Sequence, residues 1–345
     1  MVVFFWNYFI RMRRGYRVYR SILKTCGDDV QIYVEHYPGT GDIYITCALL
    51  EKLIAKNKIV GPYVITIIGK GSVKIANLLD VQKTVLLTQR QSDDLLMFYR
   101  FMGPEHIKNI TVLHYSPIMF HTSILDQMAS YNGLDFMTMY LATVFPGETW
   151  EEAKKFPVCT NPERVSEYFD ERGLIPEKTV VLFPYANTIE PININIWEKL
   201  AQNLREDGFM VCTNVEPGGV SIPGTESIFV PYADLVPFVE QCGCIVGLRS
   251  GIFDIIADAK CCKVVLYPTP NFFKFGVGTI FDYFSLINMG IAKRTYEFEF
   301  ERVNERYTFV KIYRLVHDVM NGNVPSVSEN KRYTLRISDD LLYKE

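Results

Sequence analysis

Residues 31–56 read QIYVEHYPGTGDIYITCALLEKLIAK. The first eight, 31–38, alternate and are rich in β-branched and aromatic residues, so they predict a strand. The last twelve, 45–56, place apolar residues at helical spacing. Between them stands Gly39-Thr40-Gly41-Asp42, a glycine turn that opens the helix. Strand, glycine turn and helix in that order make the repeating unit of a parallel sheet covered by helices.

The unit recurs on both sides. Residues 63–69 (YVITIIG), 83–88 (KTVLLT) and 109–115 (NITVLHY) read as strands, with helices at SVKIANLL and from about Asp93 to Met102. Near residues 157–178 the pattern restarts. Strands are expected at 179–186 (TVVLFPYA), 209–215, 227–232 and 263–269 (KVVLYPT). Helices are expected at 195–208, ended by Gly208, and at 234–243, with Asp234 as N-cap. CIVGLRSGIFDIIADAK (244–260) is again strand, turn and helix. The chain has 345 residues, which suits two domains of about 150 each. The expected fold is α/β, with two Rossmann-like domains facing across a cleft and helices on both faces of each parallel sheet. The expected boundaries are a basic aromatic helix over 1–28, a first domain over 29–165, a second over 166–322 that ends in a helix at 302–322, and a polar, loose tail over 323–345.

Composition narrows the function classes. Apolar residues make up 48% and charged residues 22%, an ordinary globular balance. The net charge of -3 supplies no bulk attraction to nucleic acid. The eight cysteines form no CxxC pair and have no matching histidine cluster, so neither a zinc site nor a disulfide framework is expected, and the chain reads as cytoplasmic. The N-terminus begins MVVFFWNYFI and continues through Arg11, Arg13, Arg14, Arg17, Arg20 and Lys24 with no acid before Asp28. The charge lies on the wrong side of the apolar run for a signal peptide, and the run is too short to span a bilayer. Two readings of residues 1–24 remain: a helix lying on an anionic membrane, or a helix packed on the body with a solvated basic face. The Met- and aromatic-rich stretch 116–155 (Met119, Phe120, Met128, Phe136, Met137, Met139, Tyr140, Phe145) reads as core ahead of an acceptor groove.

Four turns at carboxyl ends of strands are candidate ligand sites, because open α/β sheets bind ligands there. Gly41 and its neighbours bring backbone N–H groups to a helix start, where anions are favoured. Asp42 either caps that helix or serves as a general base. In the second half, Arg249-Ser250-Gly251 offers a guanidinium, a hydroxyl and an N–H to a diphosphate. The alternative for Arg249 is an ion pair with Asp254 or Asp258. Asn187 and Thr188 follow the 179–186 strand and either hold a leaving group or close a turn. Tyr185, Thr269 and His36 stand at strand ends and would border the cleft.

These motifs resemble the heptosyltransferases, glycosyltransferase family 9, of the GT-B fold. The likeness runs through the Gly41-Asp42 turn, VVLFPYANT, IWEKLAQNLREDGFMV, LVPFVEQCGCIVGLRSGIFDIIADA and KVVLYPTP, over about residues 30–275. The resemblance implies that Asp42 is the catalytic base and that Ser250 and Gly251 hold the donor diphosphate. It implies a metal-independent, inverting sugar transfer, without cofactor, from a nucleotide-sugar to a glycan or lipid-linked acceptor in surface polysaccharide synthesis. Three departures stand out, one being Asp254, where the family often has a His. Arg249 occupies a place where the family has an acid, and no Lys lies between Thr188 and Trp197. Arg249 would then supply the missing positive charge, as an Arg does for the GDP leaving group in fucosyltransferases with a similar turn. A nucleotide-sugar epimerase and a non-catalytic scaffold of the same fold are the other readings.

Overall fold

The computed structural model describes residues 2–58, 61–81, 83–113, 135–153, 162–187, 189–269, 280–301, 305–323 and 333–342. It divides into two compact units. One comprises Met1–Asp126 with Met137–Phe156, the other Gln127–Phe136 with Pro157–Glu345.

The first unit holds a four-stranded parallel sheet of β1 (Gln31–Val34), β2 (Tyr63–Ile68), β3 (Thr84–Leu87) and β4 (Ile110–Val112), in the order β3-β2-β1-β4. β1 is central. Ile32 stands beside Val64 on one side and Ile110 on the other. Ile32, Tyr33 and Val34 are fully buried, as expected of a parallel strand covered on both faces. The helices are α1 (Val2–Cys26), α2 (Thr40–Lys56), α3 (Lys70–Leu78), α4 (Gln89–Met102) and α5 (Phe136–Thr143). Thr88 caps α4 in a reciprocal capping box with Gln91, so this helix starts four residues before its expected place.

α1 lies against α4. Its inner residues Ile22 and Leu23 are buried in the core beneath β1, with Met12, Val18 and Tyr19 packed beside them. The two backbones approach so closely that a Cβ on Gly15 would stand 1.9 Å from the Asp94 carbonyl oxygen. Arg11 and Arg14 close the contact by donating from Nε to the buried Asp94 carboxylate at 3.1 and 2.7 Å. The packed reading of residues 1–24 therefore holds for this face of the helix.

The second unit holds seven strands in the order β11-β10-β9-β8-β5-β6-β7. They are β5 (Thr179–Phe183), β6 (Met210–Asn214), β7 (Glu226–Ile228), β8 (Cys244–Leu248), β9 (Cys262–Thr269), β10 (Thr295–Glu301) and β11 (Tyr333–Ile337). All neighbours are parallel except β10 and β11. Helices α6 (Pro162–Arg172), α7 (Ile194–Glu206), α8 (Tyr232–Val239), α9 (Gly251–Ile255), α10 (Ile280–Tyr283), α11 (Glu305–Met320) and α12 (Asp339–Leu342) complete it. Trp197, Leu200 and Leu204 of α7 and Ile312, Leu315 and Val316 of α11 pack on the strands in one core.

Three expectations are corrected. Within the expected tail, residues 333–342 are structured: β11 adds an antiparallel edge to β10, and Leu341 reaches the core. β10 lies outside the strands expected from the sequence, although TYEFEFE alternates strictly. Tyr296, Phe298 and Phe300 enter the core, and Thr295 and Glu297 are buried on the other face. Asp234 is not an N-cap but lies inside α8, which Pro231 precedes. It is buried, accepting from Arg164 Nε at 3.0 Å and from the Tyr168 hydroxyl at 3.0 Å.

Of the Met-rich stretch, residues 116–134 lie outside the described residues. Phe136, Met137, Met139, Tyr140 and Phe145 are buried, so for these the core reading stands. The seven described cysteines are free thiols. No described helix is long and apolar enough to cross a membrane, and no described cluster of His, Cys, Asp and Glu could hold a metal ion.

Candidate active site

In the first unit, Gly39 precedes α2, and Thr40, Gly41 and Asp42 form the helix's first turn. Asp42 folds back over that turn. A Cβ on Gly39 would meet its Oδ2 at 2.1 Å, so a larger residue there would push the carboxylate aside. Asp42 is the third residue of α2, whose N-cap is Gly39, so it is not the N-cap; it stays partly exposed at the carboxyl end of β1, a place open to the base reading.

The structure adds a residue that the sequence reading missed. Glu35 directly follows β1 and is 1% exposed. Its Oε1 accepts the N–H groups of His36 and Tyr37, both at 2.9 Å, and its Oε2 accepts the Thr46 hydroxyl at 2.8 Å. Thr46 also lies 2.6 Å from the Tyr140 hydroxyl, which donates to the Leu113 carbonyl at 3.1 Å. Glu35 thus ties the turn after β1 to α2, one helical turn beyond Asp42. Burial lifts its pKa to about 8, against the pull of its hydrogen bonds and with a further push from Asp42. Burial thus favours the neutral acid, in which the proton lies between Glu35 Oε2 and Thr46 Oγ1.

His36 faces α4. Its Nδ1 is 3.0 Å from Ser92 Oγ and its Nε2 is 3.4 Å from Asp93 Oδ1. Burial lowers its pKa, so the neutral ring is favoured. His114 and His121 lie outside the described residues.

In the second unit, Arg249, Ser250 and Gly251 join β8 to α9. Arg249 is buried, with Nε and both terminal nitrogens engaged. It grips Asp254 through both terminal nitrogens, at 3.0 and 2.6 Å. It also donates to the Ser250 and Phe284 carbonyls at 2.7 and 2.8 Å. Burial works against its charge, but Asp254, with Tyr267 and Glu297 nearby, outweighs that and holds the guanidinium protonated. Of the two readings of Arg249, the ion pair with Asp254 is the arrangement present, and together with the two carbonyls it engages four of the five guanidinium N–H groups. Arg249 thereby fixes the turn that carries Ser250.

Around it lies a second buried acid. Glu297 accepts from the Tyr267 and Ser285 hydroxyls and from the Leu286 N–H at 2.7 Å. Burial raises its pKa as well. Arg249 donates to the Phe284 carbonyl, and Glu297 accepts from Ser285 and Leu286, so residues 284–286 are pinned beside the turn.

The Ser250 hydroxyl is buried without a hydrogen-bond partner in the structure. A buried hydroxyl left unsatisfied costs about 1–3 kcal/mol, so a ligand oxygen bound to it would recover that loss. Asn187 is exposed, and Tyr185, also exposed, donates to the Val220 carbonyl at 2.7 Å. Thr188 lies outside the described residues. Thr269 ends β9, paired with Glu301. The first unit thus brings together Glu35, Asp42, Thr46 and Tyr140. The second brings together Arg249, Asp254, Tyr267 and Glu297, with Ser250 at the edge.

No protein-family model and no curated protein matches the chain. Solved structures do. The Escherichia coli ADP-heptose LPS heptosyltransferase II aligns over 85% of this chain and 99% of its own, with a TM-score of 0.52 and 12% identity. A family 9 glycosyltransferase from Veillonella parvula DSM 2008 aligns over 86% and 90%, with a TM-score of 0.49 and 14% identity. MnaA of Staphylococcus aureus, solved with UDP, aligns over 84% and 88%, with a TM-score of 0.45 and 11% identity. The first of these shows the fold: the chain is an α/β protein of the GT-B type, built from two Rossmann-like units.

Proposed function

We propose that the protein is a glycosyltransferase that moves a sugar from a nucleotide-sugar donor to a hydroxyl of a glycan or lipid-linked acceptor, in surface polysaccharide synthesis at the cytoplasmic face of a membrane. The observation that carries the reading is the placement of Asp42, on a glycine turn at the carboxyl end of the central strand of the first unit, in a fold like that of a heptosyltransferase over most of both chains.

In this reading the Asp42 carboxylate takes the proton of the acceptor hydroxyl. The acceptor oxygen then forms a bond to the anomeric carbon. The bond from that carbon to the donor phosphate oxygen breaks, its electron pair leaves with the nucleoside diphosphate, and the configuration inverts. Ser250 and the Gly251 N–H hold the diphosphate, with Gly41, Asn187 and Thr188 as further polar contacts. Arg249 holds the Ser250 turn in place. The reaction needs no metal and no cofactor here, because preorganised donors stabilise the departing charge.

A thermal-shift screen with UDP, GDP, ADP and CMP tests donor binding. A ligand that binds only the folded state raises stability by about 2.7 kcal/mol at a hundredfold excess over its Kd. One nucleotide is expected to raise Tm, and Ser250→Val is expected to reduce that rise. No rise with any of them favours the scaffold reading.

A further inference from the structure

α1 has a second face that its packing on α4 leaves outward. Trp6, Phe9, Arg13, Tyr16, Arg17, Arg20 and Lys24 recur three or four residues apart, so they form one stripe along the helix. All seven are exposed. Trp6 is 64%, Phe9 47% and Tyr16 50% accessible, unusually high for such side chains. Gly15, Ile22 and Leu23 occupy the opposite, buried face. The six cations of α1 divide the same way. Arg11 and Arg14 turn toward Asp94, while Arg13 lies 5.8 Å over the Phe9 ring within the outer stripe. No acidic residue occurs before Asp28, so nothing within α1 neutralises the stripe.

We propose that this stripe docks the protein on an anionic lipid surface, with the helix lying in the plane of the interface. Trp and Tyr favour the headgroup level, where an apolar ring and a polar edge are both satisfied. Arg13, Arg17, Arg20 and Lys24 complement anionic headgroups, and such charges attract from within a Debye length. A second copy of the same stripe would meet it with like charge. The inner face is already spent on α4, so the helix can bind lipid without leaving the protein. The inference stands on α1 alone and does not depend on the sugar-transfer reading.

Trp6 is a built-in reporter, because Trp150 and Trp197 are both buried. The full chain is mixed with vesicles of phosphatidylcholine alone or of phosphatidylcholine with phosphatidylglycerol, without any sugar donor. The expected result is a blue shift of tryptophan emission and co-sedimentation with the anionic vesicles only, both weakened by salt. Replacing Arg13, Arg17 and Arg20 together with Gln is expected to weaken binding about a hundredfold. Phe9→Ser, a change at an exposed position, is expected to weaken it further with unaltered Tm. Equal binding to both vesicle types, binding to neither, or tighter binding to single-stranded RNA than to anionic vesicles would overturn the proposal.

Discussion

Glu35 and Arg249 are both buried ionisable groups, and each gives a distinct prediction. The folded Glu35 carboxyl has its pKa raised from 4.5 to about 8. Its favourable contribution is therefore present in full below pH 4.5 and is lost as pH rises through 8. Glu35→Gln keeps an oxygen for the two backbone N–H groups and cannot ionise. It should become more stable than the parent by a few kcal/mol on the order of the linkage cost near pH 9, with the gap closing toward pH 5. Thermal melts at the two pH values measure this, and a gap that does not change with pH would exclude a protonated Glu35. Arg249→Ala leaves Asp254 buried without its partner and should cost about 3–5 kcal/mol in chemical denaturation. A variant of unchanged stability would mean that the ion pair is not formed. The sequence offered both roles for Arg249, since Asp254 lies only five residues on, and the ion pair is the one present in the fold. Glu35 was not legible, because a Glu at the end of an alternating strand reads as solvent-facing. Its partner Thr46 lies in α2 and is joined in turn to Tyr140, far along the chain.

At the scale of elements, the parallel strands were readable because buried strands are continuous apolar runs, such as TVVLF and CIVGL. α7 was readable from its spaced Ile196, Leu200 and Leu204. β10 and β11 were harder. β10 sets three glutamates among its aromatics, and one of them, Glu297, is buried by hydroxyl and N–H donors from Tyr267, Ser285 and Leu286. β11 also alternates, as YTLRI, but over five residues only, and it holds its place by pairing with β10. Removing residues 333–345 exposes the edge of β10 and takes Leu341 from the core. A loss of about 2–5 kcal/mol is expected from chemical denaturation, the range for deleting a buried leucine. An unchanged midpoint would return these residues to the status of a tail.

At the scale of the molecule, two parallel-sheet units each place a polar turn at the carboxyl end of a central strand. The sheet order β3-β2-β1-β4 puts the Asp42 turn at the middle of one sheet, and β9-β8-β5 does the same for Ser250 in the other. The glycine turn and the strand–turn–helix repeat made this plan legible, but the roles of individual side chains needed their burial and partners. The central claim is that Asp42 activates an acceptor for sugar transfer. The direct measurement is release of nucleoside diphosphate from a panel of nucleotide-sugars with candidate acceptors, for the parent and for Asp42→Asn. The account predicts acceptor-dependent release by the parent and a loss of about 10²–10⁴-fold in the variant, the usual contribution of a general base, with donor binding retained. Equal turnover by both proteins would contradict it.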